Sequence, residues 1–203
     1  MMNRNFSKEL DALIEKNKTE SIKPKLMLHA CCACCASYVL EYLNEHFEIY
    51  LLFYNPNITS KDEYDYRYSE LKRLVGEMGI CDTVKIVDVE YNKSEFLDNV
   101  KGLENEPEGG ARCAVCFRGR LSETAKRADE FSCDYFATTL TISPLKNSSI
   151  INSIGETLSK EHKVKYLPSD FKKKNGYKRS IELSKEYNLY RQNFCGCEFS
   201  KKD

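Results

Sequence analysis

The chain lacks net charge, long apolar runs and internal repeats, and each absence removes a class of function. Its 31 Lys and Arg residues balance 31 Asp and Glu, which excludes a protein that is basic everywhere while leaving room for one basic face. No window holds the eighteen or so uninterrupted apolar residues that cross a bilayer, so no membrane partner is expected. The opening MMNRNFSKELDALIEKNKTESIKPK is polar and charged where a secretory leader carries an apolar core. A cytoplasmic protein is therefore expected, and 203 residues fit a single domain over 1–203.

Cysteine is what the chain has in excess, ten residues in all. An even, high count first suggests a disulfide framework. Thiols stay reduced in the expected compartment, however, and adjacent cysteines such as Cys31 and Cys32 bridge each other poorly. Metal binding or redox chemistry is left.

Strand and helix patterns alternate along the sequence. Strands are expected at Lys25 to His29, Glu48 to Tyr54, Thr83 to Val89, Asp134 to Leu140 and Val164 to Leu167. Helices are expected at Ala36 to His46, Lys61 to Met78, Lys93 to Leu103, Cys113 to Phe131 and Asn147 to Glu161. Along Lys61 to Met78, Tyr64, Tyr68, Leu71, Leu74 and Val75 share one face. This alternation implies an α/β fold, a five-stranded parallel sheet with helices on both faces. Chemistry in such sheets collects at the carboxyl edge, near the reversal of strand order. His29 and the cysteine run, 55-NPNITSKDEY-64 and 138-TTLTISPLKN-147 all leave strands at that edge. The acidic stretch 104-ENEPEGG-110 reads as a mobile loop.

Cys31, Cys32, Cys34 and Cys35 form one cluster, Cys113 and Cys116 a second, Cys195 and Cys197 a third. Cys81 and Cys133 stand apart and are expected to be ordinary small buried residues. Cys113 and Cys116 open a helix, whose N-terminus stabilises thiolates. Zinc is satisfied by four ligands, whereas Cys31, Cys32, Cys35, Cys113, Cys116, Cys195 and Cys197 offer more. A [4Fe-4S] cluster takes four thiolates, leaving three for a second metal or a cycling dithiol. A fold holding two structural zinc ions is the competing reading.

The motifs 29-HACCACC-35, 112-RCAVCFRGRL-121, 138-TTLTISPLKN-147 and 190-YRQNFCGCEFS-200 together resemble those of the QueH-type epoxyqueuosine reductases, from about Pro24 to Ser200. The family-like catalytic domain is thus expected over 24–200, after a polar helical extension over 1–23. Cys34 departs from the family's usual H-x-C-C-A-P-C, which has Pro at that position. The resemblance implies a HUP-like fold (adenine nucleotide alpha hydrolase) with a cysteine-rich metal site at the carboxyl edge. It implies reduction of epoxyqueuosine to queuosine at the wobble position of a tRNA, with electrons from an external one-electron donor.

The metal ligands are expected to be those seven cysteines, and the cofactors a [4Fe-4S] cluster and a second, mononuclear iron. One partition places the cluster on Cys32, Cys113, Cys116 and Cys195 and the iron on Cys31, Cys35 and Cys197. Another places the cluster on Cys31, Cys32, Cys113 and Cys116, with Cys195 and Cys197 as a redox dithiol. Catalytic candidates are Cys195, Cys197, Cys35 and His29, the last as proton donor or sulfur partner, with a satisfied core histidine as its other reading. Arg112, Thr139, Lys146, Asn147, Tyr190, Arg191 and Gln192 are candidate substrate contacts. The segment 160–179 holds eight Lys or Arg against two acids. Lys172, Lys173, Lys174, Lys178 and Arg179 are its candidates for the tRNA backbone. A metal-free thiol-disulfide oxidoreductase and a zinc-stabilised RNA-binding module remain as alternative functions.

Overall fold

The computed structural model describes residues 4–201. In chain order the elements are α1 (Phe6–Thr19), β1 (Lys25–His29), α2 (Ala33–Leu43), β2 (Glu48–Leu52), α3 (Lys61–Glu77), β3 (Val84–Val87), α4 (Lys93–Asn99), α5 (Ala111–Glu130), β4 (Tyr135–Thr138), α6 (Ser148–Glu161), β5 (Lys165–Tyr166) and α7 (Gly176–Glu186). A 3-10 turn, Thr139–Ile142, follows β4, and another, Glu198–Ser200, lies in the tail. Every strand pairing is parallel, in the order β3-β2-β1-β4-β5. This is a doubly wound order whose reversal falls between β1 and β4.

Alternation of side chains along the strands builds two apolar layers. Leu26, Leu28, Ile49, Leu51 and Ala137 face one way and pack with α1, α2 and α3. Met27, Leu52 and Phe136 face the other way and pack with α5 and α6. Helices therefore cover both faces. The polar N-terminal stretch forms α1, which docks Leu10 and Ile14 into the first layer.

Local chemistry sets the helix starts. Asn5, Ser60 and Asn147 accept backbone N–H bonds with their side chains at the starts of α1, α3 and α6. Helix α2 begins earlier than its apolar pattern suggests, because the Cys32 sulfur takes the capping role by accepting from Cys35 N at 3.4 Å. The lysine-rich segment 160–179 runs through β5 into the start of α7, a helix packed on α2 that the expected elements did not include. At Gly176 any Cβ would lie 2.0 Å from the Phe171 carbonyl oxygen, so only glycine lets the chain turn there.

Candidate metal and substrate site

The cysteines gather where β1 and β4 diverge. Beyond β1, Ala30 N bonds Leu52 O at 2.8 Å and Asn55 Nδ2 bonds Ala30 O at 2.9 Å. The chain is thereby aimed over the sheet edge into α2. The sulfurs of Cys31, Cys32 and Cys35 lie within 4.8 Å of one another. Thr139 fixes Cys31 at two points, its hydroxyl oxygen accepting Cys31 N at 3.2 Å while the hydroxyl donates to the sulfur at 3.4 Å.

Three packed thiols share negative charge unequally. Hydrogen bonds from Cys32 and Cys35 hold Cys31 well below the usual thiol range against the cost of burial, helped by nearby Lys146. The same bonds push Cys32 up to about 12 and Cys35 well above its ordinary value. Lys146 loses charge stability through burial, but Cys31, Cys35 and Cys195 more than restore it and raise its pKa. The α2 N-terminus adds its positive end to the same place. A donor set of three converging sulfurs, one of them with a lowered pKa, suits a cation that would displace the thiol protons.

A second thiol group is built from distant pieces. Cys113 and Cys116 sit in the first turns of α5, with Gly109 N donating to Cys113 Sγ at 3.2 Å. Cys195 and Cys197 come from the tail, and all four line one small cavity with Arg112, Arg120 and Lys146. Cys195 is pulled down to about 5 by its bond from Cys197, and its sulfur lies 3.0 Å from Ser200 Oγ. Arg120, buried beside Cys116, adds fixed positive charge to this group.

The tail is clamped from α3 and the loop before it. Arg67 is 2% exposed, pairs with Glu63 at 2.7 Å and donates to Cys195 O at 3.2 Å and Phe194 O at 3.3 Å. Asn57 Nδ2 also donates to Cys195 O, and Thr59 N to Gly196 O, both at 3.2 Å. Gly196 has φ +101°, and a Cβ there would meet Ile58 Cγ1 at 2.7 Å. Arg67, Asn57 and Arg120 had no assigned role in the sequence. The signal was present for Arg67, an arginine on the same α3 face as Tyr64, Leu71 and Leu74.

Between the two groups opens a cavity of about 490 Å³. Cys32, Cys34 and Cys35 line one part, and Lys146, Arg191 and Gln192 another. Lys146 and Cys195 also line the smaller cavity, so the spaces meet at these residues. Gln192 Oε1 is buried with no hydrogen-bond partner among the described residues.

Several expectations need correction. The structure packs Cys32 with Cys31 and Cys35, while Cys113, Cys116, Cys195 and Cys197 line one small cavity, a different grouping from the expected partitions. His29 faces no sulfur: its Nε2–H donates to Tyr54 O at 3.0 Å, which leaves Nδ1 to accept from Thr138 Oγ1 at 2.9 Å. Burial depresses it to about 4, so it is a neutral brace across the strand ends. Arg112, 2% exposed, donates to the carbonyls of Leu103, Glu104 and Glu106 and is unavailable to a substrate. Those bonds pin the 104–110 loop that reads as free in sequence. Thr139 serves Cys31, and Asn147 caps α6 through Ser149 N and Ile150 N.

Tyr190 is held edge-on against Tyr66 with its hydroxyl near Glu63 and its N–H on Glu70. In the lysine run, Lys172 pairs with Asp170, Lys174 with Asp11, and Arg179 with Glu41, so internal carboxylates already meet these charges. Lys173 and Lys178 are exposed and in no ion pair among the described residues. Cys133 is buried in the second apolar layer, whereas Cys81 is exposed. Cys34 stays outside the three-sulfur group, donating to Tyr190 O at 3.2 Å.

A doubly wound sheet with converging cysteines, fixed cations and a cavity at its switch point defines a protein built for metal or redox chemistry on thiols. The family model described as epoxyqueuosine reductase QueH matches residues 26–203. Epoxyqueuosine reductase QueH of Streptococcus pyogenes serotype M1 is 45% identical over 98% of this chain and 78% of its own. The QueH proteins of Staphylococcus epidermidis and Staphylococcus aureus are each 42% identical over 97% of this chain and 84% and 83% of theirs. The chain belongs to the QueH epoxyqueuosine reductase family.

Proposed function

We propose that the protein reduces epoxyqueuosine to queuosine at the wobble position of a tRNA in the cytoplasm. Removing the epoxide oxygen breaks two C–O bonds, takes up two electrons and two protons, and leaves an alkene and one water. The observation that carries this reading is the convergence of seven cysteines from three distant segments beside the 490 Å³ cavity.

Cys113, Cys116, Cys195 and Cys197 would hold a [4Fe-4S] cluster, and Cys31, Cys32 and Cys35 a single iron with a position left open. When bound, these groups supply one-electron transfer from an external donor and Lewis acidity, which thiols alone lack. The chain's own residues prepare the reaction. Lys146 keeps a proton on Nζ at the junction of both cavities, where a departing oxygen needs a donor. Hydrogen bonds from Cys32 and Cys35 favour the Cys31 thiolate, and Thr139 aims its sulfur. The Arg67 and Asn57 clamp holds Cys195 against the α5 cysteines. Exposed Arg191, Lys173, Lys178 and Lys201 are among the cations that can meet RNA phosphate.

Anaerobic protein should be brown, hold about four to five iron atoms per chain and convert epoxyqueuosine in tRNA when given a chemical reductant. A colourless, iron-free protein that binds RNA without converting it would return the zinc-stabilised binding module, and dithiol exchange without metal the thiol-disulfide reading.

A further inference from the structure

Two large apolar side chains stand exposed at the 490 Å³ cavity. Leu145 is 77% exposed and Tyr177 38% exposed, and both line it. Isolated exposed apolar residues are ordinary, and Ile22, Tyr66 and Phe131 elsewhere on the surface line neither this cavity nor the smaller one. Leu145 and Tyr177 differ in three respects.

Leu145 is displayed by an ordered turn. Ser143 Oγ accepts Leu145 N at 3.3 Å, Lys146 N bonds Ser143 O at 3.2 Å, and Pro144 restricts the backbone between them. Tyr177 is fixed in the first turn of α7, where Ser180 Oγ donates to its carbonyl at 2.7 Å. Both backbones are therefore anchored while the side chains meet solvent. The charge around them is also one-sided: the cavity lining includes Lys146, Arg191 and Lys201 against the single acid Glu108. Finally, the Gln192 side chain lines the same cavity.

A protein ligand or lipid would use the apolar pair but has no need for one-sided positive charge at the same cavity. Unpaired RNA uses all of them. A base stacks on an aromatic ring, a phosphate meets Lys and Arg, and a base edge meets polar side chains such as Gln192. Enzymes that act on one base in a stacked strand take it out, and an apolar wedge fills the vacated space.

Resting on the tRNA reading above, we infer that Leu145 and Tyr177 form a base-extraction device. Leu145 takes the place of the wobble base in the anticodon stack, Tyr177 stacks on an unpaired base, and Lys146 and Arg191 meet the adjoining phosphates.

The test uses metal-loaded protein and a synthetic anticodon stem-loop RNA carrying 2-aminopurine beside the wobble position. With the wild-type protein, binding should raise the fluorescence several-fold as the neighbour unstacks. Leu145→Ala and Tyr177→Ala should each bind about tenfold more weakly and lose the fluorescence rise, while Leu145→Met and Tyr177→Phe keep both. Leu145→Gln and Tyr177→Ser replace either alanine variant that folds poorly. Wild-type affinity and fluorescence in the alanine variants, or no rise with bound wild type, overturns the extraction device. Turnover of epoxyqueuosine RNA by wild-type protein is scored separately. Turnover with unaffected variants removes only the device. Unstacking without reduction supports the device and removes the reductase reading.

Discussion

The two thiol groups are made in opposite ways. Cys31, Cys32 and Cys35 lie within five consecutive residues, where a buried strand ends and a helix begins, so backbone geometry alone brings their sulfurs together. Cys113, Cys116, Cys195 and Cys197 come from a helix start and a tail nearly eighty residues later. Long-range bonds from Arg67, Asn57 and Thr59, with packing of Cys197 against Phe96 and Val100, keep the tail there. The first group is a local structure that tertiary packing orients. The second is a tertiary structure with little local support, and it should be the more easily lost.

The largest effect should separate the groups outright. Cys113→Ser should remove most of the iron and the brown absorption, and turnover with them. Cys35→Ser should stop turnover while much of that absorption survives. Iron analysis and anaerobic spectra decide, and a fully loaded, active Cys113→Ser protein would defeat the assignment.

Breaking the clamp comes next. Arg67→Met leaves Glu63 without its buried partner and frees two tail carbonyls, a loss of about 3 kcal/mol in denaturant unfolding. In the metal-free variant, a maleimide should modify Cys195 and Cys197 faster than in wild type while the Cys31 rate stays unchanged. Equal acceleration at both groups would show that the difference between them is not real.

Gly196→Ala probes the same tail more gently. The left-handed φ and the 2.7 Å approach to Ile58 Cγ1 should cost about 1–3 kcal/mol, with iron content falling in proportion to tail release. A variant with wild-type stability and iron would mean the tail adapts freely.

The smallest effect is expected within the local group. Cys34 is the second residue of α2, where a backbone N–H has no intrahelical acceptor, so proline fits there without breaking a helix bond. Cys34→Pro should change stability by less than about 0.5 kcal/mol and leave iron content intact. A loss of iron would make Cys34 a ligand after all.

Much of the frame was readable from the sequence. The strand at Lys25–His29 agrees residue for residue, and the other four strands lie inside their expected ranges. Buried β-strands and amphipathic helices announce themselves through periods of two and 3.6 residues. The start of α2 was missed because cysteine is not a usual capping residue, and the Cys32 sulfur does that work here. Helix α7 was missed because a run of lysines hides the apolar face around Leu183.

At the site, the sequence by itself determined that the 31–35 cysteine run and the 138–147 segment leave strands at the carboxyl edge, since the alternation specifies the direction of those strands. It could not determine which sulfurs meet. That depends on β1 lying beside β4, and on an arginine in α3 binding carbonyls more than 120 residues away. The charges divide in the same way. Lys174 and Arg179 look free in sequence and are neutralised by Asp11 and Glu41 in the fold. Propensity and periodicity act over a few residues, whereas ligand grouping, ion pairing and the exposure of Leu145 are set by which distant segments the closed sheet brings into contact.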